Sequence, residues 1–172
     1  MDHSATEDSD CAFCRIAAGS AFARIIHEDQ DTLAFLPLRP VTSGHALVIP
    51  RRHIRDLWGL DEATATALTR SVLRVAHAVR AAFRPTGLNV VNSAGASATQ
   101  SVMHLHVHVV ARYEGDRMGN FWPPSPPMEP TGLDAAAEQL RLAVRAGRGR
   151  PSAEQQDGQE GEMSGAETAV EQ

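Results

Sequence analysis

The stretch HLHVHVV (residues 104–110) places a histidine at every second position with an aliphatic residue between. In a β-strand successive side chains point to opposite faces, so this period predicts one imidazole face and one core face. Residues two apart on one face have Cα atoms about 6.5–7 Å apart, close enough for neighbouring rings to fix one another's tautomers. Because a neutral imidazole attacks only through its unprotonated nitrogen, the stretch predicts a nucleophilic histidine.

Two other interpretations of this histidine strand stay open. Histidines recur by chance on half-exposed strands, although three at a strict period of two are rare. Alternatively, two histidines two residues apart could ligate a catalytic zinc ion. Such an enzyme usually needs a nearby carboxylate base, and the sequence has no Asp or Glu between Glu62 and Glu114. Residues 92–101 are instead small and polar, and their amides and hydroxyls suit a phosphate group.

Segments rich in β-branched or alternating residues, bounded by turn residues, predict the strands. The five predicted strands are residues 24–28, 32–36, 45–49, 88–92 and 104–110. Residues 61–83 instead repeat apolar side chains at helical spacing, with Asp61 as the N-cap. Shorter helices are predicted after Cys11 and over about 134–146. This order predicts an α+β fold, an antiparallel meander sheet with the helices on one face.

Composition and charge limit the class of protein. The 172-residue chain is 42% hydrophobic, which is enough for one buried core, and one domain is predicted over residues 11–146. The acidic residues 1–10 and the Gly-, Glu- and Gln-rich residues 147–172 are predicted to be disordered. A net charge of −5 gives no uniform basic field and argues against nucleic-acid binding. Without a long apolar stretch or a basic and apolar leader, no membrane association and a cytoplasmic location are expected.

Together these motifs resemble those of the histidine triad superfamily. HLHVHVV matches the family signature of three histidines that alternate with hydrophobic residues. The segments CAFCRI (11–16), HEDQDTLAFL (27–36) and GHALVIPRRH (44–53) are similar to further family motifs in the same order. Asn92, the approach TQS (99–101) and FWPP (121–124) resemble the Hint branch of the family. The resemblance covers about residues 11–124.

This resemblance implies a five-stranded antiparallel sheet in a homodimer with one continuous sheet, and an AMP-like nucleotide substrate. It also implies hydrolysis at the α-phosphorus through a nucleotidyl-histidine, with no cofactor required for catalysis. His106 would attack, His108 and the His104 backbone would orient it, and Ser101 would lie near the leaving group. The residues implied in nucleotide binding are Leu38, His45, Asn92, Thr99, Gln100, Ser101, His106, His108 and Trp122.

The chain departs from the family pattern at several positions. Pro37 stands where the family often has the Asp that is expected to contact the ribose hydroxyls. Thr99 stands where the phosphate loop often has Gly, and Ala111-Arg112 stands where Pro-Arg often follows the histidine strand.

The chain's two cysteines, Cys11 and Cys14, suggest a metal site. Two intervening residues make a poor structural disulfide but suit half of a metal site or a redox pair. Alternatively, both could pack as small apolar residues at a helix start. The family resemblance suggests His53 and His104 as further ligands, which would complete a closed, tetrahedral zinc site of the structural kind.

The favoured function is hydrolysis of nucleoside phosphoramidates or related adenylates, because the segment around Trp122 looks like the Hint branch. Dinucleoside polyphosphates are the alternative substrates. A nucleotide-binding scaffold without catalysis is the alternative class of function, although the intact triad argues against it. For Trp122 itself, simple packing and contact with the substrate are equally supported by the sequence.

Overall fold

The structure, a computed structural model, describes residues 10–119 and 125–147. Its strands are β1 (Arg24–Glu28), β2 (Thr32–Leu36), β3 (Ala46–Pro50), β4 (Gly87–Asn92) and β5 (Val107–Arg112). Its α-helices are α1 (Ala12–Ala17), α2 (Glu62–Phe83) and α3 (Pro130–Gly147). The predicted α+β class, with five antiparallel strands, one long helix and shorter terminal helices, is confirmed.

The strands lie across the sheet in the order β1-β2-β3-β5-β4, and every neighbouring pair is antiparallel. The predicted meander therefore holds for β1 to β3 but is interrupted there, because β5 and not β4 lies beside β3. The 22-residue helix α2 connects β3 to β4 and carries the chain past the position next to β3. As a result β5 is an inner strand, and its His108 pairs with Leu47 on one side and Val91 on the other.

Strand β5 begins at Val107, three residues later than predicted. The reason is local, since the backbone N–H of Leu105 donates to the Ile54 carbonyl at 2.6 Å, outside the sheet ladder. The predicted two faces are nevertheless present. Leu105, Val107 and Val109 belong to the core that also contains buried side chains of α2.

Helices cover both faces of the sheet, and the prediction that they share one face is wrong. Strands β2 and β3 are buried on both faces. Ala34 and Val48 face the core beneath α2, whereas Leu33 and Phe35 alternate with them and pack against α1. Because the sheet has an apolar side on each face, each face must be packed against another element, and α1 packs on the face opposite α2.

The predicted limits of α2 are confirmed. Asp61 is its N-cap, and the Asp61 carboxylate accepts from the Thr64 backbone N–H at 2.8 Å. The helix ends at Phe83, followed by Arg84 in the left-handed region and then Pro85. None of the described helices is long and apolar enough to cross a membrane.

The chain divides into two compact units, Met1–Phe121 and Trp122–Gln172. The first contains the sheet, α1 and α2. The second contains α3, the predicted third helix, which begins earlier than expected at Pro130, a residue suited to the first helical position. The domain limits 11–146 remain a prediction. The predicted disorder of 1–10 and 147–172 concerns residues that, apart from Asp10 and Gly147, lie outside the described part of the chain.

Candidate active site

A cavity of about 260 Å³ lies along the histidine face of β5. Its walls combine imidazoles, hydroxyls and aliphatic groups, from Val41, His45, Val91, Ser93, Thr99, Ser101, His106, His108, Val110 and Met118. Among the described residues that line it, none is an Asp, Glu, Lys or Arg. A phosphate group here would therefore meet neutral hydrogen-bonding groups.

His106 is 5% exposed, and its tautomer is fixed by the backbone. Its Nδ1 lies 2.7 Å from the carbonyl oxygen of His104. Because a carbonyl oxygen can only accept, Nδ1 carries a proton, so the neutral form of the ring has its lone pair on Nε2. The Asn92 side chain donates to the His106 carbonyl at 2.9 Å and steadies the same backbone segment. His106 thus has the tautomer that a nucleophile requires.

His108 is fixed in the opposite tautomer through His45. The backbone N–H of Val41 donates to His45 Nδ1 at 3.2 Å, so the His45 proton is on Nε2. His45 Nε2 lies 2.9 Å from His108 Nδ1 and donates to it. The His108 proton is therefore on Nε2, which makes this ring a hydrogen-bond donor on the cavity wall.

Both rings of this pair are held neutral. Burial lowers the pKa of His45. Burial, followed by the charges of the neighbouring His106 and His45 rings, lowers the pKa of His108 to about 4. Near pH 7 each ring therefore carries one proton, in agreement with the directions of the hydrogen bonds.

The loop between β4 and β5 brings three hydroxyls to the cavity, those of Ser93 and of the pair Thr99 and Ser101. Thr99 has a φ of 66°, a left-handed conformation that glycine adopts without strain. Gln100 lies between them but is 4% exposed and turns inward. Its Oε1 accepts from the Gly95 N–H at 2.8 Å, and its Nε2 donates to the Arg55 carbonyl at 2.7 Å. Gln100 therefore holds the loop in shape.

The structure brings His45, Thr99, Ser101, His106 and His108 together around the cavity. Three other residues predicted to bind nucleotide, Leu38, Asn92 and Gln100, are not among the described lining residues. Leu38 is 88% exposed. The predicted Trp122 lies outside the described residues.

Sequence reasoning missed several wall residues, including Met118 and Val110. Met118 follows β5 on a loop held by Asp116, whose carboxylate binds the Arg112 guanidinium at 2.7 Å and accepts from the Met118 N–H at 3.1 Å. Arg112 and Asp116, four residues apart, were the signal in the sequence that could have predicted this loop. Val110 continues the alternation of the histidine strand and could have been found from it.

The ligand atoms of Cys11, Cys14, His53 and His104 lie within 4.8 Å of one another. His104 Nε2 donates to the Pro50 carbonyl at 2.9 Å, so Nδ1 is unprotonated, and it lies 3.5 Å from both sulfur atoms. His53 Nδ1 lies 3.1 Å from Cys14 Sγ.

This cluster has the chemistry of a metal site. Burial is the largest cause that lowers the pKa of His104, to about 4, and a metal ligand must be neutral. Two sulfur and two imidazole donors suit tetrahedral zinc in a closed, structural site, so these residues could bind a metal ion. Among the described residues, this group contains His104 but neither His106 nor His108.

Comparisons with known proteins agree with this geometry. Residues 19–115 match the model of the HIT domain. The chain is 42% identical over 113 residues to Protein hit of Bacillus subtilis, covering 65% of this chain and 78% of that protein. A zinc-bound histidine triad family protein from Mycobacterium smegmatis is 38% identical, with a TM-score of 0.61 over 78% of this chain and 98% of that one. A hypothetical histidine triad nucleotide-binding protein from Sulfolobus tokodaii is 30% identical, with a TM-score of 0.60 over 79% and 93%.

Proposed function

The chain belongs to the HIT domain family, and on this basis we propose that it hydrolyses nucleoside phosphoramidates or related adenylates at the α-phosphorus. The observation that carries the proposal is the tautomer of His106. Its Nδ1–H is donated to the His104 carbonyl, which leaves the Nε2 lone pair for attack at a cavity wall that also offers hydroxyl donors.

In the first step of the proposed reaction, the His106 Nε2 lone pair forms a bond to phosphorus as the bond to the leaving group breaks. The leaving group takes that electron pair and one proton. In the second step, a water oxygen bonds to phosphorus, the electron pair of the N–P bond returns to His106 Nε2, and the water releases one proton. The proton that the leaving group takes comes from solvent and is replaced by the one that the water releases, so the proton count is unchanged over the cycle. His108 Nε2–H, a donor on the cavity wall, is placed to hydrogen-bond to a phosphate oxygen or to the leaving group while keeping its only proton.

The neutral cavity favours substrates whose leaving group is an amine or a similar group over substrates whose leaving group is a polyphosphate. Within the described chain, its lining carries no lysine or arginine that could neutralise a polyphosphate tail. Burying several phosphate charges without a cation is costly, whereas a phosphoramidate or an adenylate brings about one negative charge at the reacting phosphorus.

Zinc and dimer formation complete the proposal. A related protein from M. smegmatis is zinc-bound, and we expect Cys11, Cys14, His53 and His104 to hold a zinc ion here that supplies structural support and no step of the reaction. Within the described residues neither Cys11 nor Cys14 forms a disulfide, which agrees with the reducing, cytoplasmic location that we propose. We also expect a homodimer with a continuous sheet, because β4 is an edge strand on which Leu88 and Val90 are 38% and 53% exposed.

The test uses adenosine 5′-phosphoramidate, with AMP release followed by chromatography and the protein adduct followed by mass spectrometry after acid-free quenching. We expect the wild type to release AMP through an adenylylated protein. His106→Asn should bind AMP but lose several orders of magnitude of turnover. His77→Asn, which changes an exposed histidine on α2, is the matched control and should retain full activity.

Each result decides between functions. A His106→Asn protein with more than about a tenth of the activity would show that His106 is not the nucleophile. AMP binding without turnover would favour a scaffold. Faster release of AMP from a dinucleoside polyphosphate than from the phosphoramidate would favour the alternative substrates. Activity that survives strong chelation would exclude catalytic zinc.

A further inference from the structure

Phe13 lies between the two cysteines of the metal cluster, and its ring contacts His106. The ring centroids are 5.4 Å apart with an interplanar angle of 85°. Phe13 is 9% exposed and is not among the described residues that line the cavity. The motif CAFC therefore contains an aromatic residue that neither the metal site nor the proposed chemistry uses directly.

One hydrogen bond does not fix the orientation of the His106 ring. The torsion between Cβ and an imidazole ring is broad in energy, so a ring held only at Nδ1 can still rock about that bond. Two ring contacts limit this movement, from Phe13 and from His108, whose centroid is 5.0 Å away at 66°. Edge-to-face contacts of this kind restrict the plane of both partners.

Phe13 is itself held on its other sides. Its ring makes an edge contact with Phe35, with centroids 5.4 Å apart at 72°. In the sequence Phe13 lies between Cys11 and Cys14, whose sulfur atoms each lie 3.5 Å from His104 Nδ1. The ring of Phe13 is thus braced by the buried cluster between α1 and the sheet, which includes Leu33 and Phe35, and it faces His106.

We propose that Phe13 is a positioning residue that keeps His106 Nε2 aimed at the phosphorus atom. The inference rests on the proposed function, because that function makes His106 the nucleophile. Phe13 should therefore affect the rate of adduct formation and not the affinity for the nucleotide. Small misplacements of a reacting atom can cost about 10²-fold in rate.

The test compares Phe13→Leu with Phe35→Leu. Both remove an aromatic ring from the same buried cluster, but the Phe35 ring has its described ring contact with Phe13 and not with His106. For Phe13→Leu we expect kcat for adenosine 5′-phosphoramidate to fall about 10- to 100-fold, with KM and the Kd for AMP within about twofold. For Phe35→Leu, which removes one of several groups that hold the Phe13 ring, we expect a similar loss of melting temperature but only a small, indirect fall in kcat, within about threefold of wild type.

A second readout does not depend on turnover. The Nδ1–H proton of His106, assigned by its absence in His106→Asn, should shift or broaden in the NMR spectrum of Phe13→Leu and should change less in Phe35→Leu, whose effect on His106 is indirect. If Phe13→Leu does not fold, Phe13→Met keeps most of the side-chain volume without a flat ring and should give the same result.

Equal kcat losses in the two leucine variants would reduce Phe13 to general packing and overturn the proposal. A raised KM at unchanged kcat would assign Phe13 to substrate contact and would also overturn it. If the wild type forms no adduct, the proposed function fails, but the His106 proton signal still decides whether Phe13 positions the ring.

Discussion

Ser101 brings a hydroxyl to the cavity close in sequence to the histidine strand. A hydroxyl that donates to a phosphate or leaving-group oxygen stabilises developing charge without carrying the electron pair of the reaction. We therefore expect Ser101→Ala to lower kcat by roughly 10²-fold or less, measured as AMP release from the phosphoramidate. Ser93→Ala, which removes another wall hydroxyl, is the control. A loss as large as that of His106→Asn would give Ser101 an essential role in the chemistry.

His108 makes stability depend on pH. Burial is the main cause that lowers its pKa from 6.5 to about 4. Between these values the unfolded chain binds a proton at this ring and the folded protein does not, so the free energy of unfolding rises with pH. We expect stability to fall as the pH drops from about 6.5 towards 4, as measured by urea unfolding.

His108→Asn serves as the control for this pH dependence. The variant loses that titration and should depend less steeply on pH over the same range. Some slope remains, because the pKa values of His104 and His45 are lowered as well. Wild-type stability that stays level or rises on acidification would contradict the neutral state of this half-buried ring.

Helix α1 is the element whose placement depends most on the metal cluster. It has six residues and no side-chain hydrogen bond at its N-cap, so it is marginal on its own. We expect protein purified without added zinc to contain near one equivalent. The double variant Cys11→Ser, Cys14→Ser should lose the metal, and its melting temperature should fall more than its affinity for AMP does. Metal analysis and thermal unfolding check both, and metal-free protein with unchanged melting would count against the site.

Local sequence patterns predicted the helices and strands well. They predicted less well which of these elements lie next to each other. The spacing of a few side chains predicted the apolar face and the N-cap of α2 and the two faces of β5. Periodicity and capping depend only on residues close together in the sequence. Spacing does not show which element covers an apolar face, which is why α1 was expected on the same side as α2. Nor does it show which strand lies beside β3.

The candidate site shows the same limit. The alternation of HLHVHVV identified His106 and His108, but the ring that fixes the tautomer of His108 is His45, 63 residues away in the chain. The resemblance to the family implied that Gln100 binds nucleotide. The direction of its side chain depends on the Arg55 carbonyl, a contact that no local pattern contains.

At the scale of the whole molecule we expect a two-fold homodimer. The edge strand β4, with its exposed Leu88 and Val90, offers unpaired backbone groups and apolar surface that association would cover. Light scattering should give a mass near twice 18.5 kDa. Val90→Lys, a charge on that edge, should shift the protein towards monomer, and a wild-type monomer with full activity would contradict the expectation.

Trp122 belongs to the same prediction, since the segment after the triad is expected to reach towards the partner's active site. Trp122→Ala should change the relative rates between leaving groups more than it changes AMP binding. The measurement is a panel of phosphoramidates and adenylates at matched concentration. An unchanged order of preference would leave Trp122 as ordinary packing.

The position of β5 inside the sheet has a consequence for how the protein is made. During synthesis, β3 and β4 leave the ribosome before β5, the strand that lies between them in the sheet. Until β5 emerges, the edges of β3 and β4 that it will cover can pair with other chains. The last strand of the sheet to emerge closes that gap and carries His108, with His106 just before it. A chain that ends before β5 would therefore be prone to aggregate and would lack the histidine that we propose as the nucleophile.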